Sequence, residues 1–164
     1  MTHLWAPWRS TYMKAQKDKS RCIFCDAATG ENDEESLVVQ RGEHCFVLLN
    51  RYPYTSGHLM IAPYDHVSRL GETSKATTYE MTDFARIAEQ ILQTAYNPDG
   101  LNLGINLGEA AGAGIEQHVH MHVLPRWRGD ANFMTTVGNT RVMPEGLEET
   151  YRKLRAGFEA AITL

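Results

Sequence analysis

The chain has 164 residues, 43% of them hydrophobic and 22% charged, with a formal net charge of −4. That length supports one domain with a buried core of its own, and the composition is that of a soluble globular protein. The acidic balance argues against a broad nucleic-acid surface, and no apolar run approaches the roughly 20 residues of a membrane-spanning helix.

Residues 1–21 carry Arg9, Lys14, Lys17, Lys19 and Arg21 against one acid, Asp18. Trp5, Pro7 and Trp8 mark this stretch as a segment packed on something. It has no apolar h-region, so it does not read as a signal peptide. Two of the three cysteines follow as Cys22-Ile23-Phe24-Cys25. An odd count with this spacing is no secreted disulfide framework, and a cytoplasmic protein is expected. The pair is open to three readings: a redox pair, two unrelated thiols, or half of a tetrahedral zinc site that needs two more ligands. Residues 26–36 reverse the charge and are expected to form a solvated loop.

Strands are expected at 37–40 and 45–50, split by a turn at Arg41-Gly42-Glu43-His44, and at 57–62 before Pro63. Cys45 falls in an apolar run and reads as core. Met81, Phe84, Ala88, Ile91 and Ala95 form one helical stripe. Thr77 with Glu80 fits a capping box at its start, and Asn97-Pro98-Asp99-Gly100 stops it. Residues 101–107 read as a strand, 108–114 as a Gly/Ala loop and 126–142 as irregular. A last helix is expected from near Pro144, with Leu147, Tyr151, Leu154 and Phe158 on its buried stripe. Five strands and two main helices imply an α+β domain with an antiparallel sheet.

The most informative stretch is 117–125, Gln117-His118-Val119-His120-Met121-His122-Val123-Leu124-Pro125. Alternation expects a strand, with Val119, Met121 and Val123 on the core face and His118, His120 and His122 on the other, roughly 6–7 Å apart in succession. Such a line of imidazoles fits a solvated edge, a metal site, or catalysis in which one histidine is the nucleophile and its neighbours set protonation. The loop 106–114 precedes it, and its small residues let backbone N–H groups approach an anion. Together they point to phosphoryl or nucleotidyl transfer through a histidine.

Residues 117–125 resemble the histidine triad signature of the HIT superfamily. Residues 50–63, with Asn50, Arg51, Pro53, Gly57, His58 and Pro63, are similar to a second HIT segment. Leu4-Trp5-Ala6-Pro7-Trp8-Arg9 and Arg126 to Phe133 resemble the bacterial branch that includes diadenosine tetraphosphate phosphorylases. The resemblance implies a HIT-like fold, with a five-stranded sheet extended across a homodimer. It implies a single domain over 1–164: an arm at 1–21, a HIT core at 22–126, and a C-terminal extension and helix at 127–164. It implies nucleotidyl transfer or hydrolysis on an adenine dinucleoside polyphosphate, with a nucleoside phosphoramidase, a dinucleotide hydrolase or a nucleotide-binding protein of little turnover as alternatives. His120 would attack the α-phosphate and His122 would assist the leaving group. Asn50 would bind ribose, His58 would support the site, and Asn106 with the backbone of Gly112, Ala113 and Gly114 would hold phosphate. Several HIT branches complete a zinc site with residues matching His66 and His118, which would join Cys22 and Cys25 around a structural Zn2+. Two features depart from common patterns: Gly112-Ala113-Gly114-Ile115 lacks the glutamine of many relatives, and His122 is retained where some transferases carry glutamine. Phosphate recognition is then expected from backbone N–H groups, asparagines and imidazoles, with Arg126 and Arg128 nearby.

Overall fold

The computed structural model describes residues 21–130, 137 and 144–162. The tryptophan-rich segment at 4–9 and the stretch 131–133 lie outside them. The elements are α1 (Ile23–Thr29), α2 (Asp33–Ser36), β1 (Val38–Arg41), β2 (Cys45–Leu49), β3 (Leu59–Pro63), α3 (Lys75–Tyr96), β4 (Gly100–Ile105), β5 (Met121–Arg126) and α4 (Leu147–Ile162), with short 3-10 turns at Leu70–Glu72 and Glu109–Ala111. The strands form one antiparallel sheet in the order β1-β2-β3-β5-β4. The expected α+β class and antiparallel sheet are present.

Strand alternation divides the core into two layers. Cys45, Val47, Leu49, Leu59, Ile61 and Val123 face α3 and α4, where they meet Met81, Phe84, Ala88, Leu92, Leu154 and Phe158. Phe46, Leu48, Met60 and Ala62 face the other way and pack on Phe24 and Ala27 of α1. The histidines of the triad stretch belong to this second face, since the rings of His118 and His120 lie against Phe24.

Several boundaries differ from the sequence expectation for physical reasons. The stretch 26–36 is not a loop: it holds most of α1 and all of α2. α1 anchors itself by burying Phe24 and Ala27, and α2 by the Asn32 side chain, which accepts the N–H groups of Glu34 and Glu35. Arg41 then clamps the region. Its guanidinium donates to the carbonyls of Ala27, Ala28 and Gly30 and to Asp33, so a strand side chain caps the C-terminal end of α1. α3 starts earlier than expected. Ser74 is the cap, its Oγ accepting the Thr77 N–H at 3.0 Å. Glu80 does not close a capping box; its carboxylate accepts the N–H groups of Glu43, His44 and Cys45 at 2.7–2.8 Å, pinning the β1–β2 turn to the helix. Burial pulls the Glu80 pKa up, and those three donors outweigh it and hold the group below its usual value. α4 begins at Leu147, one turn after Pro144. Cys45 is fully buried in the core, as its sequence context implied.

Candidate active site and metal centre

The expected strand at 117–125 is shorter in the structure. β5 begins at Met121, because its pairing with β3 ends at the Ile61–Met121 position. His118 lies in a bend and His120 just before the strand, and the Val119 N–H donates to the Val67 carbonyl instead of to a strand. The three histidines are buried, so the reading as a solvated edge fails.

His120 and His122 are neighbours, with ring centroids 4.8 Å apart and planes at 75°. Their environments assign opposite tautomers. The Nδ1 of His120 lies 2.8 Å from the His118 carbonyl, which can only accept, so Nδ1 carries the proton and Nε2 keeps its lone pair. His122 is set by a longer chain. The backbone N–H of Tyr54 donates to Nδ1 of His58 at 3.1 Å, and the Asn50 amide also points there at 3.3 Å. His58 Nδ1 is thus an acceptor, and its proton sits on Nε2. That Nε2–H donates to Nδ1 of His122 at 2.9 Å, which leaves the His122 proton on its own Nε2. One imidazole offers an electron pair and the next offers a proton.

Both must be neutral for this to hold. Burial, followed by the charges on His122 and His120, pulls His58 down to about 3. Burial and then His120 pull His122 down to about 4. Burial also lowers His120, against the opposing pull of the His118 carbonyl. The linkage has a definite sign. The unfolded imidazoles bind protons near pH 6.5 while the folded ones stay neutral to about 4, so their stability contribution is present above pH 6.5 and lost as the pH falls. From pH 6.5 down to about 4 these two sites are expected to lower stability steadily as the pH falls. Denaturant midpoints measured from pH 7 to 4.5 should fall less steeply in His122→Gln than in the native chain; equal slopes would contradict the assignment.

Gly57 orients the start of β3. Its φ is +76°, and a Cβ there would meet Tyr96 and Leu92 at 3.0–3.1 Å. The tight turn sets His58 just before β3, with its ring 5.1 Å from that of His122. On the other side, the β4–β5 register pairs Gly104 with His122 and Ile105 with Met121. Asn106 follows directly on the last paired residue of β4, as His120 directly precedes the first of β5. In the Gly/Ala loop, the N–H groups of Gly112 and Ala113 donate to the carbonyls of Glu109 and Gly108. The loop holds itself with those two amides and that of Ala111, which also donates to the Gly108 carbonyl, and Gly114 follows, exposed. Arg126 is not aimed at the site: its guanidinium is held by Asp130 and Asn102 at 2.6–2.8 Å.

The structure brings Cys22, Cys25, His66 and His118 together, with all four ligand atoms within 4.8 Å of one another. Cys22 Sγ lies 3.3 Å and Cys25 Sγ 3.7 Å from the same His118 Nδ1, and Cys25 Sγ lies 3.2 Å from His66 Nδ1. His118 Nε2 faces the Pro63 carbonyl at 2.9 Å, so Nε2 holds the proton and Nδ1 turns its lone pair to the sulfurs. This is the outer-sphere arrangement that orients a metal-bound imidazole. Burial and the neighbouring Cys22 thiol push Cys25 up to about 11, so its thiolate calls for a cation beside it. Two sulfurs and two imidazoles fit tetrahedral zinc.

Three contributors were not read from the sequence. Phe24 packs its ring 4.7 Å from that of His120; its position between the two cysteines was the available signal. The Tyr54 N–H and the Pro63 carbonyl act through main chain, which no side-chain pattern announces.

A sequence model of the HIT domain matches residues 31–129. The chain belongs to the HIT family. It is 38% identical over 162 residues to the AP-4-A phosphorylase of Mycobacterium tuberculosis, a match covering 94% of this chain and 83% of that protein. The likeness puts this HIT protein among the enzymes of the family. A Zn-bound histidine triad family protein from Mycobacterium smegmatis has the same fold at a TM-score of 0.70 and 28% identity, covering 88% of this chain and 98% of that one. A hypothetical histidine triad nucleotide-binding protein from Sulfolobus tokodaii gives a TM-score of 0.67 at 26% identity, covering 85% and 93%. Among the described residues no helix is long and apolar enough to cross a membrane.

Proposed function

We propose that this HIT enzyme transfers the nucleotidyl group of an adenine dinucleoside polyphosphate through a covalent intermediate on His120, and that phosphate is the acceptor. The observation that carries the reading is the pair of opposite tautomers. His120 Nε2 attacks the α-phosphorus, and the bond from that phosphorus to the bridging oxygen breaks. His122 Nε2–H donates to the departing oxygen, and His58, held by Tyr54 and Asn50, keeps that proton in place. An oxygen of inorganic phosphate then attacks the same phosphorus and frees His120. From diadenosine tetraphosphate the products are ATP and ADP, and the phosphorus atoms balance. Asn50 serves the ribose, and Asn106 with Gly114 faces the phosphates; Gly112 and Ala113 shape the loop.

The relative named AP-4-A phosphorylase supports this substrate and acceptor. Incubation of diadenosine tetraphosphate with and without phosphate tests it. ADP plus ATP should form only with phosphate present; equal cleavage in its absence would point to a dinucleotide hydrolase. That second reading is favoured by one observation, the retained His122, which can also serve a water acceptor.

Zinc at Cys22, Cys25, His66 and His118 belongs to the same proposal. It would brace the N-terminal part of the domain against the triad stretch, in a reducing, cytoplasmic setting where thiols remain ligands. The whole chain, 1–164, is proposed to act as one HIT domain, with 1–21 as an arm and 127–164 as an extension. A homodimer is proposed through β4. It is an edge strand with Leu103 49% exposed, and Leu107 just beyond it is 46% exposed; a second β4 would cover both and continue the sheet. Sedimentation equilibrium should return the mass of two chains, and a monomer mass at micromolar concentration would exclude the pairing.

A further inference from the structure

The metal-ligating cluster and the nucleophile are not separate features, because one residue belongs to both. His118 gives its Nδ1 to the cluster and its Nε2–H to Pro63, while its main-chain carbonyl accepts the Nδ1–H of His120. A second contact runs in parallel. Phe24 is fully buried between Cys22 and Cys25 in sequence, and its ring lies 5.1 Å from the His118 ring and 4.7 Å from the His120 ring.

We propose that His118 and Phe24 are positioning residues that couple metal occupancy at Cys22, Cys25, His66 and His118 to nucleotide binding at His120. The proposal rests on the reading of that cluster as a zinc site. Two thiols converge on one acceptor, the His118 Nδ1, at 3.3 and 3.7 Å. Cys25 lies nearer the His66 Nδ1, at 3.2 Å, so in the bare cluster a single weak S–H donor, that of Cys22, holds the His118 ring on this side. A tetrahedral cation would be held by both sulfurs and both imidazoles at once, in place of that weak hydrogen bond. Its binding would fix the His118 ring, the residue's backbone and the direction of its carbonyl. That carbonyl decides which nitrogen of His120 bears the proton. Fixing the cysteines also fixes the start of α1, and so the Phe24 ring that walls His120. A site whose tautomer is selected in advance binds nucleotide without the cost of selecting it. Coupling of this kind is reciprocal by thermodynamic necessity.

The test uses the full chain, zinc and AMP. Zinc content is measured first, then zinc affinity by competition with a chromophoric chelator, with and without saturating AMP. AMP affinity is measured on zinc-loaded and zinc-depleted protein. The expected result is one zinc per chain, with zinc and AMP tightening each other by the same factor, about five-fold or more. Phe24→Leu should keep the zinc content and bring that factor towards one. Nitrogen-15 NMR of the nucleotide-free protein supplies a readout that direct nucleotide contact cannot move. His120 should show a single Nδ1–H pattern when loaded, and a mixture on zinc depletion or in zinc-loaded Phe24→Leu. That last comparison holds even where the depleted protein unfolds. One bound zinc with identical AMP affinity in both states, or an unchanged His120 pattern in Phe24→Leu, overturns the coupling and leaves the zinc reading standing. A native chain that binds no zinc overturns both.

Discussion

His120→Asn is expected to lower turnover of diadenosine tetraphosphate by about 10⁴-fold or more, with AMP affinity kept within a few-fold. Asparagine is the informative replacement because of what it preserves. Its amide nitrogen stands near the position of imidazole Nδ1 and can still donate to the His118 carbonyl, a contact of 2.8 Å in the native chain. The backbone around the triad therefore has no new unsatisfied acceptor. What disappears is Nε2, the atom with the free lone pair. Loss of turnover with retained binding assigns the covalent step to that atom. Normal turnover would remove His120 from the reaction, whatever the fold around it.

Cys22→Ser is expected to abolish retention of zinc through purification and to lower stability by on the order of 3–5 kcal/mol. A serine hydroxyl is a poor zinc ligand at neutral pH, and removing one of four donors opens the tetrahedron. The loss reaches beyond the cluster because the four residues come from separate parts of the chain. Cys22 and Cys25 lie at the start of α1, His66 follows β3 and His118 precedes β5. Cross-linking segments so distant in sequence is where a metal adds most to folding. Metal analysis and denaturant unfolding of the variant check the prediction. Native zinc content in Cys22→Ser would exclude this residue as a ligand.

The parts of this molecule that were legible in sequence are those set by periodicity or by rare residue types. The stripe of Met81, Phe84, Ala88 and Ile91 announced α3, and all four side chains are buried against the sheet. The alternation of histidines announced that His120 and His122 share a face, and they do, although His118 and His120 lie before the strand begins. α1 and α2 were missed because they have only 7 and 4 residues. Helices that short show no stripe and exist through capping and tertiary contacts. The sequence places Arg126 near the phosphate-recognition groups, yet Asp130 four residues later pairs with its guanidinium. The tautomers of His58 and His122 were not readable at all. They follow from the backbone N–H of Tyr54, with the Asn50 amide beside it, and a main-chain donor has no letter in the sequence.

The Glu80 carboxylate has a consequence for selectivity. Three successive backbone N–H groups gathered at a turn form an electropositive concavity of the kind that captures phosphate. Glu80 sits in it from α3, with its oxygens at 2.7–2.8 Å from the three nitrogens. The protein thus carries its own counter-ion at that turn, permanently tethered. A polyphosphate drifting over the surface finds this nest already filled, and the decoy is silenced by covalent attachment of its occupant.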